Sequence, residues 1–400
     1  MNNNSKKYTI LKQEFLSYLI LISISILGGL ENTDFELAHN HILVFAGVEL
    51  VLFSILITMR RYKKKKLLSI VTIVLLSLLI YFKSTMPNFF FLMILAIVFS
   101  TIDYRKGIKT ILICRTVMLV AINCLSIIGV LDLYEKTLYK ITKTVIGYGL
   151  GYTHPNRLSF VILYLTLLFF CVKNNKIKRK DYIFMICFTI ISFLVTGSRT
   201  ALYCMILLFA LLIIVRSKVA SKTILFLFKA ISLSVIPVCS FISIIIPMMF
   251  RQLGGSVGTF ITELDYLMNH RIALASNAFQ TFNVTLFGGN IYNEMELREL
   301  YGYATVDNGY VRFLFRFGYF GFSILILFGV ITIYYLLEKK EYNYVIACII
   351  VAVWGVSENI LISYSFNMIA IFWSEIIRER QRKNSINSRE VLCGGLKYEL

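Results

Sequence analysis

Four short motifs in the sequence place positively charged and polar side chains directly beside apolar runs. Guanidinium groups bind phosphate through paired hydrogen bonds, and such contacts strengthen next to a wall of low dielectric constant. The motifs therefore predict a binding site for an anionic ligand at the edge of an apolar layer. They read HPNR at 154–157, TGSRTAL at 196–202, NHRIAL at 269–274 and VDNGYVRFLFRFGYFG at 306–321.

Three of the motifs also have a structural interpretation that involves no ligand. Arg157 could reach toward lipid headgroups from the start of a helix. Arg199 could simply end a tight turn between two apolar runs. His270 and Arg271 could be solvated on the exposed face of an amphipathic helix. Both interpretations stay open for each motif when it is taken alone.

The fourth motif is harder to explain without a ligand. Arg312 and Arg316 are four residues apart in a run that predicts a membrane helix, so they share one face of it. A cation inside a span costs about 2.5 to 3.5 kcal/mol on insertion scales. We therefore expect both to face the bundle interior, a wet cavity or an anionic group. Asp307, Asn308 and Tyr310 precede them at the membrane edge, as further candidates for ligand contact.

The composition makes a lipid bilayer the solvent for most of this 400-residue chain. Its residues are 58% hydrophobic and its mean hydropathy is +0.75, well above the apolar share of soluble domains. A helix needs about 20 apolar residues to cross the hydrocarbon layer, and the apolar runs predict an all-α polytopic membrane protein with about twelve transmembrane helices. The predicted spans begin near Phe15, Ile42, Leu67, Phe89, Thr110, Leu158, Tyr182, Ala201, Thr223, Gly309, Tyr344 and Leu361.

Lysine and arginine are concentrated in alternate connections, including RRYKKKK at 60–66 and KNNKIKRK at 173–180. The positive-inside rule then places both termini in the cytoplasm, with residues 378–400 as a basic cytoplasmic tail. The net charge of +19 reports this topology and does not indicate a nucleic-acid partner. Five side chains of the motifs fall on the outer side: His154, Arg157, Arg199, His270 and Arg271.

We expect one integral membrane domain over residues 1–400, with one large extracytoplasmic loop at 251–308. Apolar residues in this loop recur at steps of three and four, which predicts one amphipathic helix along the membrane surface with Arg271 on its flank. A second outer segment, 132–157, predicts a re-entrant or surface-lying loop. The apolar face of the helix consists of Ile261, Leu264, Met268, Ile272, Ala275 and Phe279.

In their order along the chain, the motifs and spans resemble the Wzy-type O-antigen and capsular polysaccharide polymerases of the O-antigen ligase-like superfamily. The resemblance covers most of the chain and rests on HPNR, TGSRTAL, HRIALASNAFQTF with LFGGN, and DNGYVRFLFRFGYFG. It implies a GT-C-like fold and a metal-independent, inverting glycosyltransferase that uses no cofactor. Such an enzyme joins undecaprenyl-pyrophosphate-linked repeat units outside the bacterial cytoplasmic membrane, with a chain-length regulator and a flippase as partners.

The resemblance also implies roles for individual residues. Arg199 and Arg271 would hold the donor pyrophosphate and stabilise its departure, with Arg157 nearby. Ligase members have a His at the start of the motif that reads DNGY here, so Asp307 stands where the base is expected. A carboxylate can accept a hydroxyl proton, and Asp at this position favours the polymerase branch. Two histidines remain alternative bases: His154 and His270.

Two other functions stay open on the sequence. A ligase would pass the finished glycan to a different acceptor, such as a lipid core or a protein. A flippase for lipid-linked sugars would also need basic residues near phosphate, and Glu49, Arg115 and Lys229 within spans are compatible with it. Transporters usually contain internal repeats, however, and the sequence shows no detectable repeat, which disfavours the flippase.

Overall fold

The computed structural model is almost entirely helical. It describes residues 3–31, 33–35, 39–59, 64–139, 144–216, 222–252, 254–289, 294–302 and 305–378. The helices are α1 (Asn3–Leu30), α2 (His39–Met59), α3 (Lys64–Ser84), α4 (Asn88–Phe99), α5 (Tyr104–Ile127), α6 (Pro155–Lys173), α7 (Arg179–Thr196), α8 (Arg199–Arg216), α9 (Lys222–Met249), α10 (Gly255–Leu267), α11 (Arg271–Thr281), α12 (Glu294–Tyr301), α13 (Gly309–Glu338), α14 (Tyr342–Ser357) and α15 (Met368–Phe372). Two strands, β1 (Glu135–Tyr139) and β2 (Thr144–Tyr148), and 3₁₀ helices at Asn174–Lys176 and Asn359–Leu361 complete the described elements.

Six helices of the described chain are long and apolar enough to cross a membrane. They are the Lys12–Leu30 part of α1, together with α5, α6, α8, α9 and α13. Because a span needs about 20 apolar residues, these helices identify an all-α, membrane-embedded protein. This agrees with the fold class expected from the sequence.

Two shorter helices, α4 and α14, lie in the core of the molecule. Helix α4 is 12 residues long and every residue after Asn88 is buried. It packs against α3 and α15, whereas α14 packs against α8, α9 and α13. Neither helix has a polar face, and a helix that is apolar on every side is stable in a protein interior.

A β-hairpin lies at the same end of the molecule as the turn from α10 to α11, because Lys136 of β1 lines one cavity together with residues of that turn. Strands β1 and β2 pair antiparallel, with Glu135 opposite Tyr148, where the sequence predicted a loop at 132–157. Thr33, after α1, forms an isolated bridge with Tyr152. We call the end with the hairpin and helices α10–α12 the hairpin end, and the other the opposite end.

The predicted surface helix of the large loop is two helices, α10 and α11, instead of one. Asn269 and His270 adopt left-handed backbone angles, with φ of 54° and 60°, and this turn separates the helices. The buried carboxylate of Asp265 accepts hydrogen bonds from the N–H groups of Ile272 and Ala273 at 2.8 and 3.0 Å. Its hydrogen bonds take over the capping of α11, which stabilises the break.

Helix α13 is broken at Gly318, which has a φ of 69°. The N–H groups of Tyr319 and Phe320 donate to the carbonyls of Thr285 and Leu286 at 3.1 and 2.9 Å. The part that follows the break, residues 319–338, is about 20 residues long and by itself suffices to cross a membrane. Arg312 and Arg316 lie in the part of α13 before the break, within a helix that as a whole is long and apolar enough to cross a membrane.

The last predicted span does not begin as a regular helix at Leu361. Residue 361 ends a 3₁₀ helix, and regular α-helix resumes only at α15. Ser and Asn side chains compete with helical hydrogen bonds, and here the Asn367 amide donates to the Leu361 carbonyl at 2.8 Å. The predicted basic tail, 378–400, lies outside the described residues from position 379 onward.

Candidate functional site

An open cavity of about 890 Å³ lies at the hairpin end, between α8, α14, the β-hairpin and the turn from α10 to α11. Arg199 and Arg271 both line it, so the fold brings together two arginines from separate motifs. The wall changes from polar to apolar along α8, from Ser198 to Tyr203 and Leu207. Tyr203 is itself exposed on the surface of α8. The cavity thus suits a ligand with a charged head and an apolar portion.

Arg199 is the first residue of α8, directly after a tight turn. Gly197 ends α7 in the left-handed conformation, with a φ of 64°, and the Ser198 N–H donates to the Thr196 hydroxyl at 3.2 Å. In the described chain Arg199 has no carboxylate partner. A helix N-terminus attracts anions through its partial positive charge, and the guanidinium adds a full charge at the same point. This turn is therefore suited to binding an anion.

Arg271 is the first residue of α11 and is nearly buried, with a side chain that is 10% exposed. Its Nη2 lies 2.7 Å from Glu358 Oε1, and its Nε lies 3.5 Å from Asp307 Oδ2. Its Nη1 donates to the carbonyl of Ser357. Two carboxylates and a carbonyl thus hold the guanidinium from two segments of the fold, the end of α14 and the residues before α13, which fixes its orientation at the cavity wall.

Glu358 is a site residue that the sequence reasoning missed. It directly follows α14 and is 4% exposed. Burial raises the pKa of Glu358 to about 7, although the neighbouring Arg271 opposes this shift. The sequence did contain a signal, since Glu358 is a lone carboxylate between the two apolar runs that begin at 344 and 361. A carboxyl group with a pKa near neutrality is matched to proton transfer at physiological pH.

Asp307, the base expected from the sequence, is in the same cluster. Its carboxylate contacts Arg271, and its side chain is 21% exposed. Neither Asp307 nor Glu358 belongs to the cavity wall, where Arg271 stands in front of them. The arrangement therefore contains a cation at the cavity with two carboxylates directly behind it.

His154 and Arg157 lie at the start of α6, beside this cluster. His154 Nδ1 accepts the Asn156 N–H at 3.0 Å as a helix cap, so the proton of the neutral ring is on Nε2. Burial, together with Lys136, Arg157 and Arg271, lowers the pKa of His154 to about 4. At neutral pH His154 is thus a neutral hydrogen-bond donor with no free lone pair for a base. Arg157 Nη1 donates to Asn359 Oδ1 at 3.4 Å, and its guanidinium lies over the Phe160 ring.

Asn308 and Tyr310, expected to contact ligand, have structural partners instead. The Asn308 side chain accepts the N–H groups of Tyr310 and Val311 at 3.0 and 3.1 Å and so caps α13. The Tyr310 hydroxyl is buried and donates to the Ala352 carbonyl at 3.0 Å. Tyr310 thus fixes α13 against α14, Asn308 only caps α13, and neither lines the cavity.

The remaining candidates lie away from the cavity wall. His270 is exposed and pairs with Asp265 at 3.2 Å. Arg312 is half-buried and Arg316 is buried, both in the part of α13 before its break. The structure does not bring these three residues to the wall that Arg199 and Arg271 form.

The ionisable residues within spans have different environments. Glu49 is buried and accepts the Ser23 hydroxyl at 3.2 Å, and Arg115 is buried and donates to the Ser365 carbonyl at 3.3 Å. Lys229, expected in the interior, is exposed on α9. It lies about 10 Å from the start of that helix, and its long stem lets the ammonium group reach toward the helix end.

Within the described ranges, no group of three His, Cys, Asp or Glu residues could hold a metal ion. Comparison with known proteins adds no family. No family model matches the sequence, no curated protein is detectably similar to it, and no solved structure matches the chain.

Proposed function

We propose that this protein is a polysaccharide polymerase of the Wzy type, which joins undecaprenyl-pyrophosphate-linked repeat units into capsule or O-antigen chains. The observation that carries the proposal is the cavity that places Arg199 and Arg271 in one wall and continues along the apolar face of α8. A lipid diphosphate has the matching parts, namely two phosphates for the guanidinium groups and a hydrocarbon chain for the apolar wall. The sequence motifs supply the resemblance, and the cavity supplies an independent physical reason.

The reaction is a displacement at the anomeric carbon of the donor glycan. A hydroxyl of the incoming repeat unit forms the new C–O bond, the bond to the pyrophosphate oxygen breaks, and the configuration inverts. Negative charge develops on the departing diphosphate, which Arg199 and Arg271 stabilise. The hydroxyl proton passes through an intervening water to Asp307, the more exposed of the two carboxylates behind Arg271. The products are the extended lipid-linked glycan and undecaprenyl pyrophosphate.

The proposal also includes the number of membrane spans and the orientation of the protein. It takes the molecule to have about twelve membrane-crossing segments with a GT-C-like arrangement, because the short core helices α4 and α14 then count as spans alongside the longer ones. Both termini would be in the cytoplasm, and the hairpin end would face outward from the bacterial cytoplasmic membrane. The lipid-linked glycans, a chain-length regulator and a flippase would be its partners.

A reconstitution experiment tests the proposal. Lipid-linked repeat units are extracted from cells that lack the gene and incubated with the purified protein, without nucleotide sugar or metal. We expect a ladder of products on gels for wild type and for the Arg105→Ala variant at the opposite end, and no ladder for Arg271→Ala. Transfer of full-length glycan to another acceptor would identify a ligase instead. Movement of unaltered lipid-linked units across the bilayer, without a ladder, would identify a flippase.

A further inference from the structure

The cations at the cavity are not equally balanced. Three lining residues, Lys136, Arg199 and Arg271, are cationic and none is acidic. The charge of Arg271 is met from behind by Glu358 and Asp307. Lys136 and Arg199, in contrast, have no carboxylate partner in the part of the chain that the structure describes. Two cations of the described chain therefore face the cavity without a carboxylate partner among the residues that the structure places.

These two cations belong to different parts of the cavity wall. Arg199 begins α8, and the same wall continues to Leu207, about 12 Å further along that helix. Lys136 belongs to β1, in the hairpin that connects α5 to α6. We call the polar lining residues of the hairpin and of the turn from α10 to α11 the rim of the cavity: Lys136, Thr137 and Asn269. With the hairpin end facing outward, the rim is the side on which a saccharide would lie.

The hairpin leaves the Lys136 side chain accessible. Its partner across the ladder is Gly147, which has no side chain to cover it, and Lys136 is exposed. The neighbouring Glu135 belongs to the other face of the strand, because successive side chains alternate. The lowered pKa of His154, caused in part by Lys136, Arg157 and Arg271, independently indicates a positive field on this side.

We propose that Lys136 binds an acidic group on the saccharide itself, so that the repeat unit joined by this protein carries a negative charge beyond its diphosphate. The inference rests on the proposed function and deepens it, because it names the chemical class of the glycan. In this arrangement the diphosphate binds Arg199 and Arg271. Lys136, on the polar rim, then binds a second anion. A neutral glycan would offer this rim nothing but hydroxyl groups.

Two measurements on the extracted lipid-linked repeat unit test the inference. Mass spectrometry of the released glycan should show an acidic sugar or an acidic substituent. The purified protein is then given the native unit or the same unit after carboxyl reduction or dephosphorylation, according to its mass. Lys136→Ala should raise the KM for the native unit about tenfold and change the KM for the neutralised unit less than about twofold, as expected for loss of one charge-assisted contact. Lys136→Arg should behave as wild type, and so should Lys106→Ala, an exposed lysine at the opposite end.

The outcomes are separable from those of the proposed function. A neutral glycan, or a Lys136→Ala effect that is absent or equal for both forms of the unit, would overturn the inference while polymerisation by wild type stands. If wild type makes no polymer from the extracted unit, the proposed function fails and this inference fails with it.

Discussion

The two ends of the helical bundle both carry charged clusters, but they use their cations differently. At the opposite end each cluster is built around a carboxylate. Glu341 pairs with Arg105 at 2.5 Å, and the buried Glu375 pairs with Lys339 and with Arg378, the latter at 3.2 Å. Arg378 also donates to two backbone carbonyls at the end of α4 and just after it, those of Phe99 and Ile102. These contacts join the connection between α4 and α5 to the connection between α13 and α14 and to the segment after α15, and no residue among them lines the large cavity.

At the hairpin end the cations stand at a cavity instead of between connections. Arg271 is held by two carboxylates, whereas Arg199 and Lys136 have no carboxylate partner within the described ranges. An exposed ion pair such as Arg105 with Glu341 contributes about 0 to 1 kcal/mol to stability, and its presence alone indicates no function. The comparison shows which cations indicate a ligand site. They line an open cavity, and within the described chain their carboxylate partners either lie outside the cavity wall or are absent.

The largest effect is expected from removing Arg271. Arg271→Ala should lower the rate of glycan transfer about 100- to 1000-fold, the usual cost of losing a group that stabilises developing charge. It should also destabilise the protein by about 3 to 5 kcal/mol, because two carboxylates lose their buried partner. Rates of polymer formation and thermal unfolding in detergent measure the two effects.

A charge-balanced variant separates these two effects. In Arg271→Ala combined with Glu358→Gln and Asp307→Asn, stability should recover most of its loss, while activity stays low because the cation and the proposed proton acceptor are both gone. Arg105→Ala, which removes an exposed cation at the opposite end, should change neither by much. Recovery of activity in the triple variant would show that Arg271 only neutralises its carboxylates.

Replacing Arg199 should lower activity without lowering stability. Arg199→Ala removes a cation with no carboxylate partner in the described structure, so we expect an unfolding temperature close to that of wild type. The rate of transfer should nevertheless fall about 100-fold, since the group stabilises charge on the ligand. Arg199→Lys should restore part of the rate because the charge returns without the planar fork. A stable variant with a wild-type rate would contradict the comparison between the two ends.

Two titrating groups at the hairpin end should give opposite pH dependence of stability. The pKa of Glu358 is about 7 in the folded protein, above its ordinary value of 4.5. Its contribution to the free energy of unfolding is therefore full below pH 4.5 and is lost as the pH increases to 7. The pKa of His154 is about 4 in the folded protein, below its ordinary value of 6.5. Its contribution to the free energy of unfolding is therefore full above pH 6.5 and is lost as the pH decreases to 4. Relative to wild type, Glu358→Gln should therefore gain stability between pH 4.5 and 7.

The matching variant at His154 should do the reverse. His154→Asn keeps a helix cap but does not titrate, so it should gain stability relative to wild type as pH falls from 6.5 to 4. Unfolding temperatures of the three proteins across this range measure both slopes. Parallel curves would show that neither side chain has the environment described here.

Much of the site could be predicted because its elements begin or end at local signals. The turn at Gly197 and the basic residue after it are visible in TGSRTAL, and the placement of Arg199 at a helix start follows from them. Glu358 was missed because its importance comes from a long-range contact with Arg271, which no local pattern encodes. The break at Gly318 was missed for a similar reason, since the carbonyls that satisfy it come from Thr285 and Leu286. Sequence periodicity predicts which segments are helices, and contacts between distant segments decide where helices stop.

The smallest effect should come from Asn308, which the sequence placed at the ligand and the structure places at a helix cap. Asn308→Ala removes the acceptor for two N–H groups of α13, which should cost about 1 kcal/mol of stability. Asn308→Asp keeps the cap and should cost less. Because the side chain does not line the cavity, the rate per folded molecule should remain within about twofold of wild type for both variants. If Asn308→Ala instead reduced the rate as strongly as Arg199→Ala at unchanged stability, the ligand would reach past Arg271 to the start of α13, and the boundary drawn here between binding and packing residues would have to move.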